Sequence, residues 1–235
     1  MKTIQDLIEQ IYGEKTTSSA PLGALQSVAD ISIDSSAWGM IIARIDSVGH
    51  AAVHTCVRNG ESMTSAARIF AEWMQTGAVV RILGAGRALL AAGMPANRLA
   101  HGGAQVSFMG GMVPMPNSDR GGGVIACSAS GHTRAVLDAM RLARDNNPEI
   151  KIVGLAAHDA DSFHEMCDVF IGIHVPKGEY PNPLSALADT EEYVISEILD
   201  GLVVFAGKLN GFDDEVWRRG HEDIGPTGPY SPLRK

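Results

Sequence analysis

Residues 123–133 read Gly123-Val124-Ile125-Ala126-Cys127-Ser128-Ala129-Ser130-Gly131-His132-Thr133. A short apolar run breaks off into hydroxyls and a glycine, and helical sequence follows from about Thr133 to Arg144. That grammar describes a buried strand handing the chain through a tight turn to a helix. The same grammar recurs on both sides. Upstream, residues 78–83 (AVVRIL) end in Gly84-Ala85-Gly86-Arg87-Ala88, with helical sequence through Arg98 and Leu99, and residues 104–109 (AQVSFM) form a second run. Downstream lie residues 150–156 (IKIVGLA), a short helix over 162–166, and residues 168–174 (DVFIGIH). Five short strands alternating with helices predict an α/β fold, a parallel sheet covered on both faces. The stretch from Met109 to Gly123 holds Gly, Pro and Asn but no helical pattern, so one crossover is expected to be a loop.

Outside this block the periodicity is helical. Ile4, Leu7, Ile8 and Ile11 share one face of an N-terminal helix, and residues 13–23 read as a linker. Trp38, Ile41, Ile42, Ile45 and Val48 recur at helical spacing up to the stop signal Asn59-Gly60. Met63, Ala66, Ala67, Phe70, Trp73 and Met74 line one face of the next helix. After a Pro-rich loop over 175–188, a long helix from Asp189 to Leu209 is expected, with Val194, Ile195, Ile198, Leu199, Leu202 and Val203 on its apolar face. From Gly220 onward Pro and Gly recur, and an irregular tail is expected.

The chain's 235 residues carry a net charge of −8, which argues against nucleic acid as a partner. No apolar run reaches a membrane span. Three scattered cysteines make no disulfide framework, and the first residues lack a secretory pattern. A cytoplasmic protein is expected.

Chemistry concentrates in two strand-to-helix loops. In Gly84–Ala88 the glycines let a ligand approach backbone N–H groups. Leu89 stands where a dinucleotide fingerprint has its third glycine, no acidic residue follows at ribose-binding distance, and a plain tight turn explains the loop by itself. In Ser128–Thr133, three hydroxyls exceed the single one a helix cap needs, so a cradle for a dianion such as a phosphate ester is expected. If the first and third strands are neighbours sending their helices to opposite faces, both loops open on one crevice.

Gly84-Ala85-Gly86-Arg87, Arg98-Leu99-Ala100-His101-Gly102-Gly103 and Ser128-Ala129-Ser130-Gly131-His132-Thr133, in that order, resemble the sugar isomerase (SIS) domain, closest to its 6-phospho-3-hexuloisomerase branch, where the pieces read GAGRS, RLxHxG and SGSGET. The match continues through Ser162 to Arg219-Gly220-His221-Glu222-Asp223-Ile224, and spans roughly residues 60–225. The sequence departs from the pattern at Ala88, at His132, at the pair Glu191-Glu192 and at Pro95, which is expected to kink or end its helix early.

The resemblance implies a three-layer αβα sandwich with a five-stranded parallel flavodoxin-like sheet. It divides the chain into a helical extension (1–76), the SIS domain (77–211) and a C-terminal arm (212–235). It implies a cofactor-independent isomerase of a phosphorylated sugar acting through an enediol. The alternatives are an isomerase of a sulfonated or other anionic sugar, and a domain that senses a sugar phosphate without turning it over. Ser128, Ser130 and Thr133 would hold the phosphate, with Gly86, Arg87 and Arg98 as further substrate contacts. Glu192, eight residues before Asp200, would be the base, with Glu191 as the near alternative; His101 and His221 would relay protons. Glu192 could equally be a solvated first-turn glutamate, and Arg98 a salt-bridge partner within the fold. The i,i+4 pair His50 and His54 lacks a third ligand, and no metal or other cofactor is implied. The extra apolar helices and the irregular end predict self-association as a homodimer or homotetramer, with His221 serving either its own or a neighbouring site.

Overall fold

The computed structural model describes residues 35–108, 122–175 and 189–222; the side chains of residues 35–44, 46, 189, 221 and 222 lie outside it. The expected N-terminal helix, the linker over 13–23, the loop after Met109, the Pro-rich loop and the tail beyond 222 all fall outside the described residues.

Helices α1 (Ser35–Arg58) and α2 (Gly60–Thr76) lead into β1 (Val79–Leu83), α3 (Arg87–His101), β2 (Gln105–Phe108), β3 (Gly122–Ser128), α4 (Arg134–Asn146), β4 (Lys151–Ala157), the single turn α5 (Asp161–His164), β5 (Val169–Ile173), α6 (Asp189–Leu209) and α7 (Asp214–Glu222). The five strands form one parallel sheet in the order β2-β1-β3-β4-β5. This is the flavodoxin-like αβα arrangement expected from the sequence.

Alternation along each strand feeds two cores. Val80, Ile82, Ile125, Cys127, Val153, Leu155, Ile171 and Ile173 face α1, α2, α3 and α6. Leu83, Val124, Ala126, Ile152 and Ala156 face α4 and α5. The helices following β1 and β3 therefore leave to opposite faces from adjacent strands, which creates the switch-point crevice at the sheet's carboxyl edge.

The helices before β1 were expected to pack on the domain and on a partner chain, and α2 packs on its own domain. Ala66, Ala67, Phe70, Ala71, Trp73 and Met74 are buried within their own chain. Gly123 is where that packing is tightest, since a Cβ there would lie 1.9 Å from Trp73 Cζ2.

The corner between α1 and α2 protects the edge strand β5. Gly172 N–H donates to Asn59 Oδ1 at 2.9 Å and Asn59 Nδ2 donates to the Gly172 carbonyl at 2.9 Å, so one side chain reproduces a strand's pairing. Just beyond, His174 N–H donates to Thr55 Oγ1 at 3.1 Å. The His174 ring stacks on His158 at 4.4 Å and meets His54 edge-on at 6.0 Å. Burial first, then the neighbouring His158, Arg58 and His54, pushes its pKa from the ordinary 6.5 down to about 4. A histidine held neutral in the folded state destabilises it once the unfolded chain takes up a proton. The contribution of His174 to stability is therefore intact above pH 6.5 and is lost as pH falls toward 4. Urea midpoints measured between pH 7 and pH 4 should fall less steeply in His174→Gln than in the parent; equal slopes would contradict this.

Two expectations about helix ends are corrected. Pro95 does not end α3 early, because the helix runs on to His101. Proline forfeits one backbone hydrogen bond, but its ring is buried beside Ala92, Ala96 and Leu99, and that packing outweighs the local penalty. The tail is helical as far as Glu222. Asp213 Oδ1 accepts from Val216 N–H at 2.9 Å, an N-cap, and Trp217 packs edge-on against Phe212 at 5.4 Å.

Candidate functional site

Both chemistry-bearing loops lie at the carboxyl edge of the sheet, on either side of the β1/β3 boundary. The first loop depends on Gly86, whose φ of 56° and ψ of −129° suit only glycine, and it delivers Arg87 as the opening residue of α3. The second loop is a hydroxyl cluster. Ser128 Oγ accepts from Gly131 N–H at 3.1 Å and lies 3.0 Å from Thr133 Oγ1, while Ser130 Oγ accepts from His132 N–H at 3.2 Å. Thr133 makes no side-chain capping bond to α4, so its hydroxyl does not consume the first-turn N–H groups of the helix. Gly131, with φ of 71°, closes the turn directly against Ala160, where a Cβ would come within 2.2 Å of the alanine methyl.

The three hydroxyls divide into two roles. Ser130 is exposed and Thr133 half-buried, so both can reach a ligand. Ser128 is only 2% exposed, and its oxygen is occupied within the loop. Within the loop Ser128 holds Gly131 and Thr133 in position, and Ser130 and Thr133 are the more open hydroxyls.

Glu192 sits in the first turn of α6, at the same edge of the sheet. Its Oε1 lies 3.3 Å from Arg87 Nε and its side chain is 13% exposed, so it is not the solvated glutamate that its sequence position equally allowed. The pair lines a cavity of about 290 Å³ with Leu90, Ala91, Met94, Tyr193 and Ser196. A carboxylate in a partly dry wall, oriented by a guanidinium, is a chemically competent proton acceptor.

Other sequence-predicted residues are not brought to this place. Arg98 and His101 lie in the last turn of α3, at the opposite edge of the sheet, and Arg98 Nε pairs with Asp200 Oδ1 at 2.9 Å. An α-helix rises about 1.5 Å per residue, so His101 is about 21 Å along α3 from Arg87. Within one chain, His101 and Glu192 do not share a site. His221 lies in α7, on the side of His101, with its side chain outside the described residues. Gly220 of the same helix abuts the His101 carbonyl.

The sequence reading missed the groove in which Arg98 and His101 do lie, a cavity of about 610 Å³ bordered also by Met94, Ser196, Glu197, Asp200 and Trp217. Its signal was present in α6, where Glu192, Ser196 and Asp200 recur at i,i+4 beside the apolar face.

Among the described residues, no group of three or more His, Cys, Asp or Glu is arranged to hold a metal. Burial raises the thiols of Cys127 and Cys167 to about 12, reinforced by each thiol's neighbours, Cys167 and Asp168 respectively, so neither is a nucleophile at neutral pH. No helix among the described residues is long and apolar enough to cross a membrane.

No family model matches the chain, and no curated protein matches it in sequence. Solved structures do. A hypothetical protein of Methanococcus jannaschii, whose structure infers a molecular function of 3-hexulose-6-phosphate isomerase, aligns with a TM-score of 0.61 at 21% identity, over 75% of this chain and 96% of that one. The Vibrio vulnificus NanR protein, complexed with ManNAc-6P, aligns with a TM-score of 0.62 at 18% identity, over 86% of this chain and 72% of that one. The sugar isomerase domain of the RpiR transcription factor from Sphaerobacter thermophilus aligns with a TM-score of 0.55 at 11% identity, over 79% and 96%. The fold is that of the sugar isomerase domain.

Proposed function

We propose that this chain, folded as a sugar isomerase domain, is a cofactor-independent isomerase of a phosphorylated sugar. The observation that carries the reading is the pairing of two features at one edge of the sheet. One is the open hydroxyl loop Ser130–Thr133 at the head of α4. The other is the Arg87–Glu192 pair in the wall of a cavity at the head of α3. The neighbours support the same class, since one is complexed with a sugar phosphate and another is inferred to isomerise one.

In this reading Ser130, Thr133 and the first N–H groups of α4 bind the phosphate. Gly86 lets the sugar approach the backbone of the first loop. Glu192 takes the proton from the carbon next to the carbonyl, giving an enediol, and returns it to the adjacent carbon. Arg87 holds the carboxylate in orientation and faces the negative charge that develops on the sugar oxygens.

A second reading, a sensor that binds a sugar phosphate without turning it over, is favoured by the likeness to a transcription factor's domain. The two readings share a binding site and differ in Glu192.

Ser130→Ala tests the anion site. A hydrogen bond to a charged group contributes roughly 1.5–3 kcal/mol, so affinity for sugar phosphates should drop by about one to two decades while affinity for the uncharged sugar stays constant. Calorimetry over matched pairs of sugar and sugar phosphate measures this. Equal losses for both would remove the loop from anion binding.

A further inference from the structure

The edge strand β5 is closed by the end of α1, and three histidines meet at that closure. Thr55 is fully buried there, and Asn59 follows one turn later. Asn59 Nδ2 donates to the Thr55 carbonyl at 2.8 Å as well as to the Gly172 carbonyl at 2.9 Å, which ties the clasp to the helix that carries it. Thr55 and Asn59 together accept the N–H groups of Gly172 and His174, as a neighbouring strand would. The other side of β5 is held by its ladder with β4, which runs from the pair Val153 and Val169 to the pair Ala157 and Ile173. The strand therefore stays in the sheet if the clasp lets go.

The imidazoles crowd the same place. His174 is half-buried between His158, which follows β4, and His54 of α1, both exposed. The charged groups that act on it are His158, Arg58 and His54, all of them basic. Asp159 beside His158, Glu61 in the first turn of α2 and Glu191 in the first turn of α6 are not among them. A proton on His174 would face the Arg58 guanidinium and two further imidazoles, with no carboxylate among the described residues to balance it. Residue 174 gives its ring to the cluster and its N–H to Thr55, so repulsion on the ring pulls directly on the clasp. Parting the end of α1 from β5 relieves it.

We propose that the corner between α1 and α2 is an acid-released latch: a proton taken up by the cluster of His54, His158 and His174 detaches Thr55 and Asn59 from β5 and uncovers the edge of that strand while the sheet stays folded. The latch does not depend on the isomerase reading.

Amide hydrogen exchange, read by NMR on the intact chain, tests it. The Gly172 N–H is the reporter, because its partner is Asn59 Oδ1. With the direct effect of pH on exchange chemistry removed, its protection should fall about tenfold between pH 7 and pH 5, less than the whole linkage of the ring because a partly exposed charge is screened. At pH 5 its exchange should not respond to low urea. The Val153 N–H, in the interior strand β4, should exchange faster as urea is added, since only global opening exposes much surface.

His174→Gln should keep the clasp and remove most of the fall. Arg58→Gln, at an exposed position, should reduce it, because one repelling charge is gone. If His174→Gln does not fold, the parent profile and Arg58→Gln decide without it. Unchanged protection of Gly172 between pH 7 and pH 5, or a urea response equal to that of Val153, would overturn the latch. So would a fall as large in the variants as in the parent.

Discussion

Glu192→Gln is expected to keep its fold and its affinity for a sugar phosphate while turnover falls by at least about 100-fold, the lower end of the usual effect of removing a general base. The reason is local. Gln fills the same volume in the half-dry wall between Arg87 and Tyr193, and its amide oxygen can still meet Arg87 Nε, where the carboxylate oxygen now lies at 3.3 Å. What disappears is the capacity to accept and return a proton. Calorimetry and kinetics on the same preparation separate binding from chemistry. Near-normal turnover would take Glu192 out of the mechanism and pass its role to Glu191 or to a histidine.

Gly131→Val is expected to damage both stability and binding. A side chain at φ 71° is in the left-handed region, and the new Cβ would lie 2.2 Å from the Ala160 methyl. Left-handed backbone costs roughly 1–2 kcal/mol, and overpacking adds a similar amount, for a total of about 3 kcal/mol. In a chain of this size that lowers the thermal midpoint by about 10 °C. Relief requires the turn to move off Ala160, which breaks the Gly131–Ser128 bond and displaces Thr133. Affinity for sugar phosphates should therefore drop with the melting temperature. A variant with the parent's melting curve and affinity would show that the loop does not depend on this glycine.

The sheet was legible because its strands are short apolar runs ending in glycine or hydroxyls, and because the helices between them keep a helical period. The order β2-β1-β3 placed both loops at one crevice as expected. What escaped the sequence depends on contacts between distant segments. Asn59-Gly60 reads as a helix stop, and it is one, but its side chain also pairs with Gly172, more than a hundred residues away. Gly220 reads as a helix breaker. It sits inside α7 because only a glycine fits against the His101 carbonyl, and the helix signal, Asp213 followed by Asp214 and Glu215, lay upstream of it.

The candidate site was half legible, and for a geometric reason. Arg87, Thr133 and Glu192 stand at or near the start of a helix and so lie at one edge, because every helix after a parallel strand starts there. Arg98 and His101 close a helix and so lie at the opposite edge, however near Arg87 they stand in the chain. Motif order carries no information on which end of an element a residue occupies. Ser128 shows a second limit, since residue type does not reveal that its hydroxyl also builds the turn by accepting from Gly131 N–H.

The central claim is that proton transfer at a sugar phosphate takes place at the edge of the sheet where Glu192 and the Ser130–Thr133 loop stand. Proton NMR in heavy water over a panel of sugar phosphates, with the corresponding sulfonates and uncharged sugars, tests it directly. Deuterium is expected to enter a carbon next to the carbonyl of at least one phosphorylated sugar. The label should appear with the parent chain and not with Glu192→Gln, and its position should identify the carbons that exchange. Sugar phosphates that bind the parent chain but gain no deuterium at any carbon would contradict the isomerase and leave the sensor.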